Sequence, residues 1–374
     1  MKKLLTAAFL LFFSFGLSSC AAETRITAVS VGKGDAILVQ TGDYTCLIDA
    51  GKPEAMGRVK RALRELGIEK LDAVFLTHVD NDHAGGMAWL TKSGIEVDTW
   101  YASDCYFSYK EKNHPLVKAG VDVHWLRAGD EISAGADAHF TVLAPIEENE
   151  DEENDNSLVL LLETPDGRAL FAGDMELPEE AELLSAGADL SCAILKVANH
   201  GDGDATGADF VSAVAPQISI ISTDAYEKPG TPDPAVVARL EAAGSLVYVT
   251  QDASAIRATL NGGKASAEAV HWPDEVPEDI SLAVDRADEL FTLTNGGSET
   301  VDLTGWYLHS ERGDELFSFE SATLLPGESV TVGTKSSPGG TYSVYWDEKN
   351  VLANEKDDPV GLYDENGARV AYAP

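Results

Sequence analysis

Residues 77–86 read THVDNDHAGG, and four side chains able to bind a divalent metal, His78, Asp80, Asp82 and His83, fall within six residues. The run before them, Leu71–Thr77 (LDAVFLT), is short, apolar and rich in strand formers, so it reads as a buried strand. The ligands therefore sit where a strand gives way to a loop. The rigid element delivers them, and the loop lets them converge. Gly85 and Gly86 follow, so the chain can turn tightly against a bound ion, and Met87–Leu90 begins a helical pattern. Imidazole and carboxylate are the ligands that divalent metals take up in hydrolases. A polar surface turn can carry a His–Asp pair by chance. Four such ligands at a strand end, backed by a glycine pair, point to a metal site.

The chain has 374 residues, enough for two domains or more, and 44% of them are hydrophobic, enough for full cores. Acidic residues number 63 against 27 basic, for a net charge of −36. That charge opposes long-range attraction of nucleic acid, which favours a basic face. It leaves room for a nucleotide or a DNA end held mainly through metal.

Lys2 and Lys3 precede the apolar run Leu4–Leu17, the pattern of a signal peptide and too short for a membrane span. Leu17-Ser18-Ser19-Cys20 resembles a bacterial lipobox, which implies lipidation of Cys20 and an extracytoplasmic, membrane-anchored chain. An ordinary signal peptide with a chance cysteine is the alternative. Cys46, Cys105 and Cys192 are odd in number and show no Cys-x-x-Cys spacing, so no disulfide is expected.

Ile26–Val31 and Ala36–Gln40 read as strands around Gly32-Lys33-Gly34-Asp35. Tyr44–Ile48 is the next strand and ends in Asp49-Ala50-Gly51. Pro53–Leu66 reads as an amphipathic helix stopped by Gly67. Strands are expected at Val97–Tyr101, Val121–Leu126 and His139–Leu143, with helix and loop in the aromatic, basic stretch Tyr106–Lys118. Glu147–Asp155 holds seven acids in nine residues and reads as a solvated loop. Leu158–Glu163 and Arg168–Ala172 flank the turn Pro165-Asp166-Gly167 as a hairpin. Strands Leu195–Ala198, Ile218–Ser222, Leu246–Thr250 and Ala255–Leu260 then alternate with helices Thr206–Val214 and Pro232–Ala243. Periodicity alone gives an α/β domain. Asn261–Ile280 is rich in Gly, Pro and acids and reads as a linker. Beyond it, short strand-like runs recur between turn residues, as in an all-β sandwich: Phe291–Asn295, Asp302–Ser310, Leu316–Glu320, Ser329–Val332, Ser343–Trp346 and Val360–Asp364.

The metal loop resembles the H-x-H-x-D-H signature of the metallo-β-lactamase fold, with Asp80 in place of the middle His. That variant, with VGKGDAILV at 31–39 and NSLVLLL…LFAGD at 156–174, resembles the metallo-β-lactamase domain of ComEC-type DNA-uptake proteins from about Ile26 to Leu260. The resemblance implies a four-layer αββα sandwich over 25–262, followed by a linker over 263–280. DLTGWYLHS (302–310) and LLPGESVTV (324–332) resemble the lamin-tail domain. That likeness implies an immunoglobulin-like sandwich over 281–374 with Trp306 in its core and an unknown partner.

The resemblance also implies further site residues. Asp174, in Gly173-Asp174, would bridge two metals, and His200, where the family shows His-His-Gly-Ser, would be another ligand. Asp49 would lie beneath the metal loop as an anchor, a plain turn Asp being the alternative. Asn156 and Ser157 would stand near the ligands. Asn199 replaces a His, and Thr231 stands where the family has the His of Tyr-Gly-His-Pro.

Six ligands, His78, Asp80, Asp82, His83, Asp174 and His200, suffice for two divalent ions, Zn or Mn, that share a carboxylate. Two such ions bring +4, and Asp80, Asp82 and Asp174 remove three, so the remaining +1 suits a phosphodiester. Carboxylate in place of imidazole favours the harder Mn. Asp82 and Asp174 are the expected catalytic pair around an activated water. The expected activity is that of a surface-anchored phosphodiesterase or nuclease. The alternatives are a metallohydrolase cutting a lactone, β-lactam or other acyl bond, and a surface-binding lipoprotein with impaired catalysis, which Asn199 and Thr231 favour.

Overall fold

A computed structural model describes residues 23–106, 111–149, 152–225, 227–272, 279–310, 315–319, 321–349, 351–352, 358–364 and 369–373. The expected signal peptide, with Cys20, lies outside the described residues.

Among the described residues, fifteen strands, taken in chain order, build the N-terminal part. The first six are β1 (Thr24–Val29), β2 (Ile37–Thr41), β3 (Tyr44–Ile48), β4 (Lys70–Leu76), β5 (Glu96–Ser103) and β6 (Val123–Leu126). The next seven are β7 (Glu131–Ser133), β8 (His139–Ala144), β9 (Val159–Thr164), β10 (Gly167–Phe171), β11 (Ile194–Lys196), β12 (Ile218–Ile221) and β13 (Leu246–Val249). The last two are β14 (Ala255–Asn261) and β15 (Lys264–Val270). They form an eight-stranded sheet, β15-β14-β1-β2-β3-β4-β5-β6, and a seven-stranded sheet, β13-β12-β11-β10-β9-β8-β7.

Each sheet begins as an antiparallel meander and ends as parallel strands. In the first the change comes at β3, and in the second at β10. Parallel neighbours need a crossover, and helices supply most of them. These are α1 (Met56–Glu65), α2 (Asn81–Ala84), α3 (Met87–Leu90), α4 (Pro115–Ala119), α5 (Leu177–Ala186), α6 (Ala208–Val214) and α7 (Pro234–Ala242).

Side-chain alternation fixes the layers. Ile37, Val39, Ile48 and Phe75 meet Leu160, Leu162 and Phe171 between the sheets. Their neighbours Leu38, Leu47, Val74 and Leu76 pack with Val59 and Leu63 of α1 on one outer side. Val159, Leu161 and Leu170 pack with Leu183, Phe210 and Leu240 of α5–α7 on the other. Strands buried on both faces read as unbroken apolar runs, as VLLL and AVFL do here. The result is the expected αββα sandwich.

One boundary differs from expectation. Residues 264–270, assigned to the linker, form β15 instead, paired with β14 from Ala255↔Val270 to Asn261↔Lys264. Gly262 and Gly263 both take positive φ, +55° and +80°, and turn the hairpin. β15 is an edge strand of small and polar residues with exposure at most positions, so its composition carries no strand signal.

Among the described residues, the C-terminal part holds a two-stranded sheet, Val301–Asp302 with Thr323–Leu324, and two four-stranded ones. One contains Ile280–Asp285, Leu290–Asn295, Ser329–Gly333 and Val344–Tyr345. The other contains Glu315–Ser318, Tyr307–Ser310, Val360–Tyr363 and Arg369–Ala373. Phe291, Leu308, Trp346 and Leu362 fill the space they enclose, and Trp306 is buried with them, as expected. Cys46, Cys105 and Cys192 are free.

Candidate metal centre

The functional loops leave the C-terminal ends of β3, β4, β10 and β11. Backbone bonds tie them together: Asp49 N–H to Phe75 O (2.8 Å) in the first sheet, Asn199 N–H to Gly173 O (3.2 Å) in the second, and Leu158 N–H to Thr77 O (3.0 Å) between the two. Asp49, Asn199 and His200 adopt left-handed backbone, with φ of 57°, 41° and 54°. That conformation is costly for non-glycine residues and tends to cluster at functional sites. Gly34 is required for a different reason: a Cβ there would collide with the carbonyl of Asp82.

Asp82, His83, Asp174 and His200 converge, with one ligand atom from each lying within 4.8 Å of the others. Asp174 Oδ2 is 2.9 Å from His200 Nε2 and 3.2 Å from His83 Nε2. The two imidazole Nε2 atoms are 3.2 Å apart, and Asp82 Oδ2 is 3.5 Å from that of His200.

The outer partners of the rings fix where their protons sit. His83 Nδ1 lies 2.8 Å from Asp49 Oδ2, which can only accept, so Nδ1–H donates there. His200 Nδ1 lies 2.8 Å from the carbonyl of Ser222 and donates likewise. In the neutral rings both Nε2 atoms therefore present lone pairs to each other and to the Asp174 carboxylate. Such a cluster of acceptors requires a cation.

His78 extends the pattern. Thr77 Oγ1–H donates to Asp49 Oδ2 (2.7 Å), so Thr77 Oγ1 accepts from His78 Nδ1 at 3.1 Å. That leaves His78 Nε2 as a lone pair, buried and without a hydrogen-bond partner. Asp174 Oδ1 is also buried and unpartnered. These two orphaned atoms are what a metal cluster leaves when its ions are removed, so the residues present fit a divalent ion.

Electrostatics agree. Burial alone would lower the His83 pKa, but Asp174 and Asp49 outweigh it and hold it well above the ordinary value. His200 is raised for the same reason, by Asp174, Asp82 and Asp35 against burial. Burial pushes the Asp82 carboxyl up, and His200 and His83 more than reverse that. Without metal, the site takes protons in its place.

Of the six expected ligands, Asp82, His83, Asp174 and His200 form the tetrad, and the ring of His78 packs on that of His83 at 4.2 Å. Asp80 is exposed at the start of α2. Asp49 holds Thr77 through its N–H (2.8 Å) and hydroxyl as well as His83. Ser157 Oγ accepts from Asp174 N–H at 3.1 Å and lies 3.2 Å from His78 Nδ1. Asn156 instead pins the acidic loop, accepting from Asn149 N–H at 2.8 Å. Asn199 Nδ2 donates to Glu176 (3.3 Å) and Asp204 (3.2 Å), and Thr231 pairs with Thr223 at 2.8 Å.

Three charged residues at the site had no role in the sequence reading. Lys33 Nζ lies 2.8 Å from Asp82 Oδ2. Lys196 and Asp35 form a fully buried ion pair at 2.7 Å, behind His200. Lys196 is legible in retrospect as the one charge within an apolar strand, ILK.

Comparisons with known proteins follow the same division. Residues 29–238 match the Metallo-beta-lactamase superfamily, and residues 268–373 match the Lamin Tail Domain. ComE operon protein 3 of Bacillus subtilis is 29% identical over 245 residues, covering 58% of this chain and 30% of that protein. Competence protein ComA of Neisseria gonorrhoeae is 26% identical over 248 residues, covering 66% and 34%. The chain thus spans about a third of the length of the curated relatives it matches. Among solved structures, the metallo-beta-lactamase fold protein YhfI of Bacillus subtilis is 13% identical over 66% of this chain and 100% of its own, with a TM-score of 0.39.

Proposed function

Because the chain belongs to the metallo-β-lactamase superfamily of metal-dependent hydrolases, we propose that it cleaves phosphodiester bonds at a dinuclear Zn or Mn centre while anchored to the cell envelope through Cys20. The observation that carries this reading is the convergence of the His83 and His200 Nε2 atoms on one oxygen of the Asp174 carboxylate, whose second oxygen is buried and unpartnered, as is the nearby His78 Nε2.

Asp82, His83, Asp174 and His200 would hold one ion. His78, Asp80 and the free oxygen of Asp174 would hold a second. When bound, such ions supply Lewis acidity and a water of lowered pKa. The chain's own residues do the rest. Asp49 and the Ser222 carbonyl fix the tautomers of His83 and His200, so both rings are ready as neutral ligands. The Lys33 ammonium offsets the charge of Asp82, which lowers the repulsion met by an anionic substrate. The phosphodiester class is supported by the competence relatives, the Asp80 variant of the motif and the charge balance of the site. Asn199 and Thr231 bond away from the tetrad, so their departure from the family pattern leaves its four ligands in place.

The test is turnover by the purified chain loaded with Mn or Zn, on a bis-aryl phosphodiester, linear DNA, a lactone and a β-lactam. Phosphodiester and DNA cleavage abolished by a chelator is the expected result. Turnover of acyl substrates alone would overturn the substrate class. For the anchor, Cys20→Ala should move the protein from the membrane to the soluble fraction; unchanged fractionation counts against lipidation.

A further inference from the structure

Glu227 lies on the segment between β12 and α7, and its carboxylate crosses to the loop between β1 and β2. Its Oε2 accepts from the backbone N–H of Lys33 at 2.9 Å, a partner 194 residues away in sequence. The same oxygen is 2.7 Å from Lys52 Nζ. Gly32 takes φ +82°, and a Cβ there would overlap the carboxylate itself, so the glycine is what lets an anion settle into the loop. Backbone N–H groups in a glycine turn of this kind, together with a cation, form a concave anion site. Lys33 connects this cradle to the metal centre, because its N–H faces Glu227 while its ammonium touches Asp82. The next residue, Lys228, is ion-paired with Asp202, two positions from His200. Adjacent residues thus fasten this segment to both rims of the metal centre.

We propose that the Gly32–Lys33 turn and Lys52 form a phosphate subsite beside the metal centre, and that Glu227 is an internal carboxylate occupying it until a substrate phosphate takes its place. The inference rests on the phosphodiesterase reading for the identity of the anion. Carboxylate and phosphodiester each carry a single negative charge, so the exchange leaves the local charge balance unchanged. The cradle and Asp82 of the tetrad are joined by a single residue, Lys33, through its N–H and its ammonium. A nucleic-acid strand can therefore place one phosphate at the metals and another in the cradle. A lone small anion must compete with a tethered carboxylate, whose effective concentration is on the order of millimolar or more. The device thereby favours polyanionic chains over free phosphate. Glu227 and Lys52 are both partly exposed, so solvent anions can reach them.

The test uses the metal-loaded full chain with inorganic phosphate as the calorimetric probe, in three forms: unaltered, Glu227→Gln, and Glu227→Gln combined with Lys52→Ala. Neutralising the carboxylate in the cradle should tighten phosphate binding at least tenfold, and removing Lys52 should erase that gain. On a phosphodiester, Glu227→Gln should lower KM with kcat held within about twofold. Equal phosphate binding by the unaltered and Glu227→Gln proteins, or a gain that survives loss of Lys52, overturns the subsite. The two readings can fail separately. If no variant cleaves a phosphodiester but the phosphate pattern appears, the enzymatic reading falls and the anion site stands. If cleavage occurs without the pattern, the reverse holds.

Discussion

Asp49 Oδ2 accepts from His83 Nδ1 at 2.8 Å, and the same carboxylate grips Thr77 through both its N–H and its hydroxyl. One buried side chain at the end of β3 thus orients a ligand ring and ties down the end of β4 that carries it. Ring partners of this kind commonly change metal affinity by about 10–100-fold. Asp49→Asn keeps the shape but weakens the bonds to His83 and Thr77. A competition titration against a chromogenic chelator should show metal affinity falling by about that factor, with far-ultraviolet circular dichroism preserved. Unchanged affinity would mean that Asp49 supports the loop without influencing the metal.

Protons and metal compete for the tetrad. In the metal-free protein His83 and His200 titrate above the ordinary value, their carboxylate neighbours outweighing burial. Their protonated pairs therefore stabilise the metal-free fold below the ordinary imidazole range, and that contribution is lost as pH rises through the raised values. Metal must displace those protons, so its affinity falls as pH falls. The rise in thermal midpoint produced by metal, measured against chelator-treated protein, should be larger at pH 8 than at pH 6, pH values chosen on either side of the ordinary imidazole value of about 6.5. An equal or larger rise at the lower pH would contradict the proton assignment.

β15 changes where the N-terminal part can be cut. It covers the edge of β14 through residues 264–270, and Trp272 N–H donates to Ser254 Oγ at 3.1 Å. A chain ending at residue 272 keeps both features. A chain ending at 262 uncovers β14 as a bare edge, which invites pairing with other copies. Size-exclusion chromatography should show the longer fragment as a discrete species and the shorter one associating or melting earlier. Equal behaviour of the two would restore 263–270 to the linker.

Legibility followed burial. β4, β9 and β10 lie between layers with both faces covered, so their apolar runs announced them, and β4 announced the ligands just beyond its end. β15 has one edge and mostly exposed small residues, so its sequence resembles a linker. His78 to His83 were visible because they are close in the chain. Asp174 and His200 needed a family likeness, since each is a single residue after a strand. The Asp35–Lys196 pair and the Glu227 cradle join residues more than 150 positions apart, and no local pattern marks them. Lys33 was visible in its motif, but its role depends on where Asp82 turns back, which only the folded loop decides.

In the proposed mechanism Asp174 would hold two ions together. One of its oxygens faces His83 and His200, and the other is buried without a protein partner. Asp174→Asn preserves the shape, removes one negative charge and replaces the carboxylate that would bridge the ions with an amide, which bridges metals poorly. The apolar layers that hold the fold do not involve it. The most direct measurement is metal content per chain by plasma mass spectrometry, for the unaltered protein and for Asp174→Asn, with circular dichroism alongside. The expected result is about two ions falling to one or none, an intact spectrum and hydrolysis reduced by orders of magnitude. Two ions and full activity in Asp174→Asn would contradict the bridging carboxylate and the mechanism built on it.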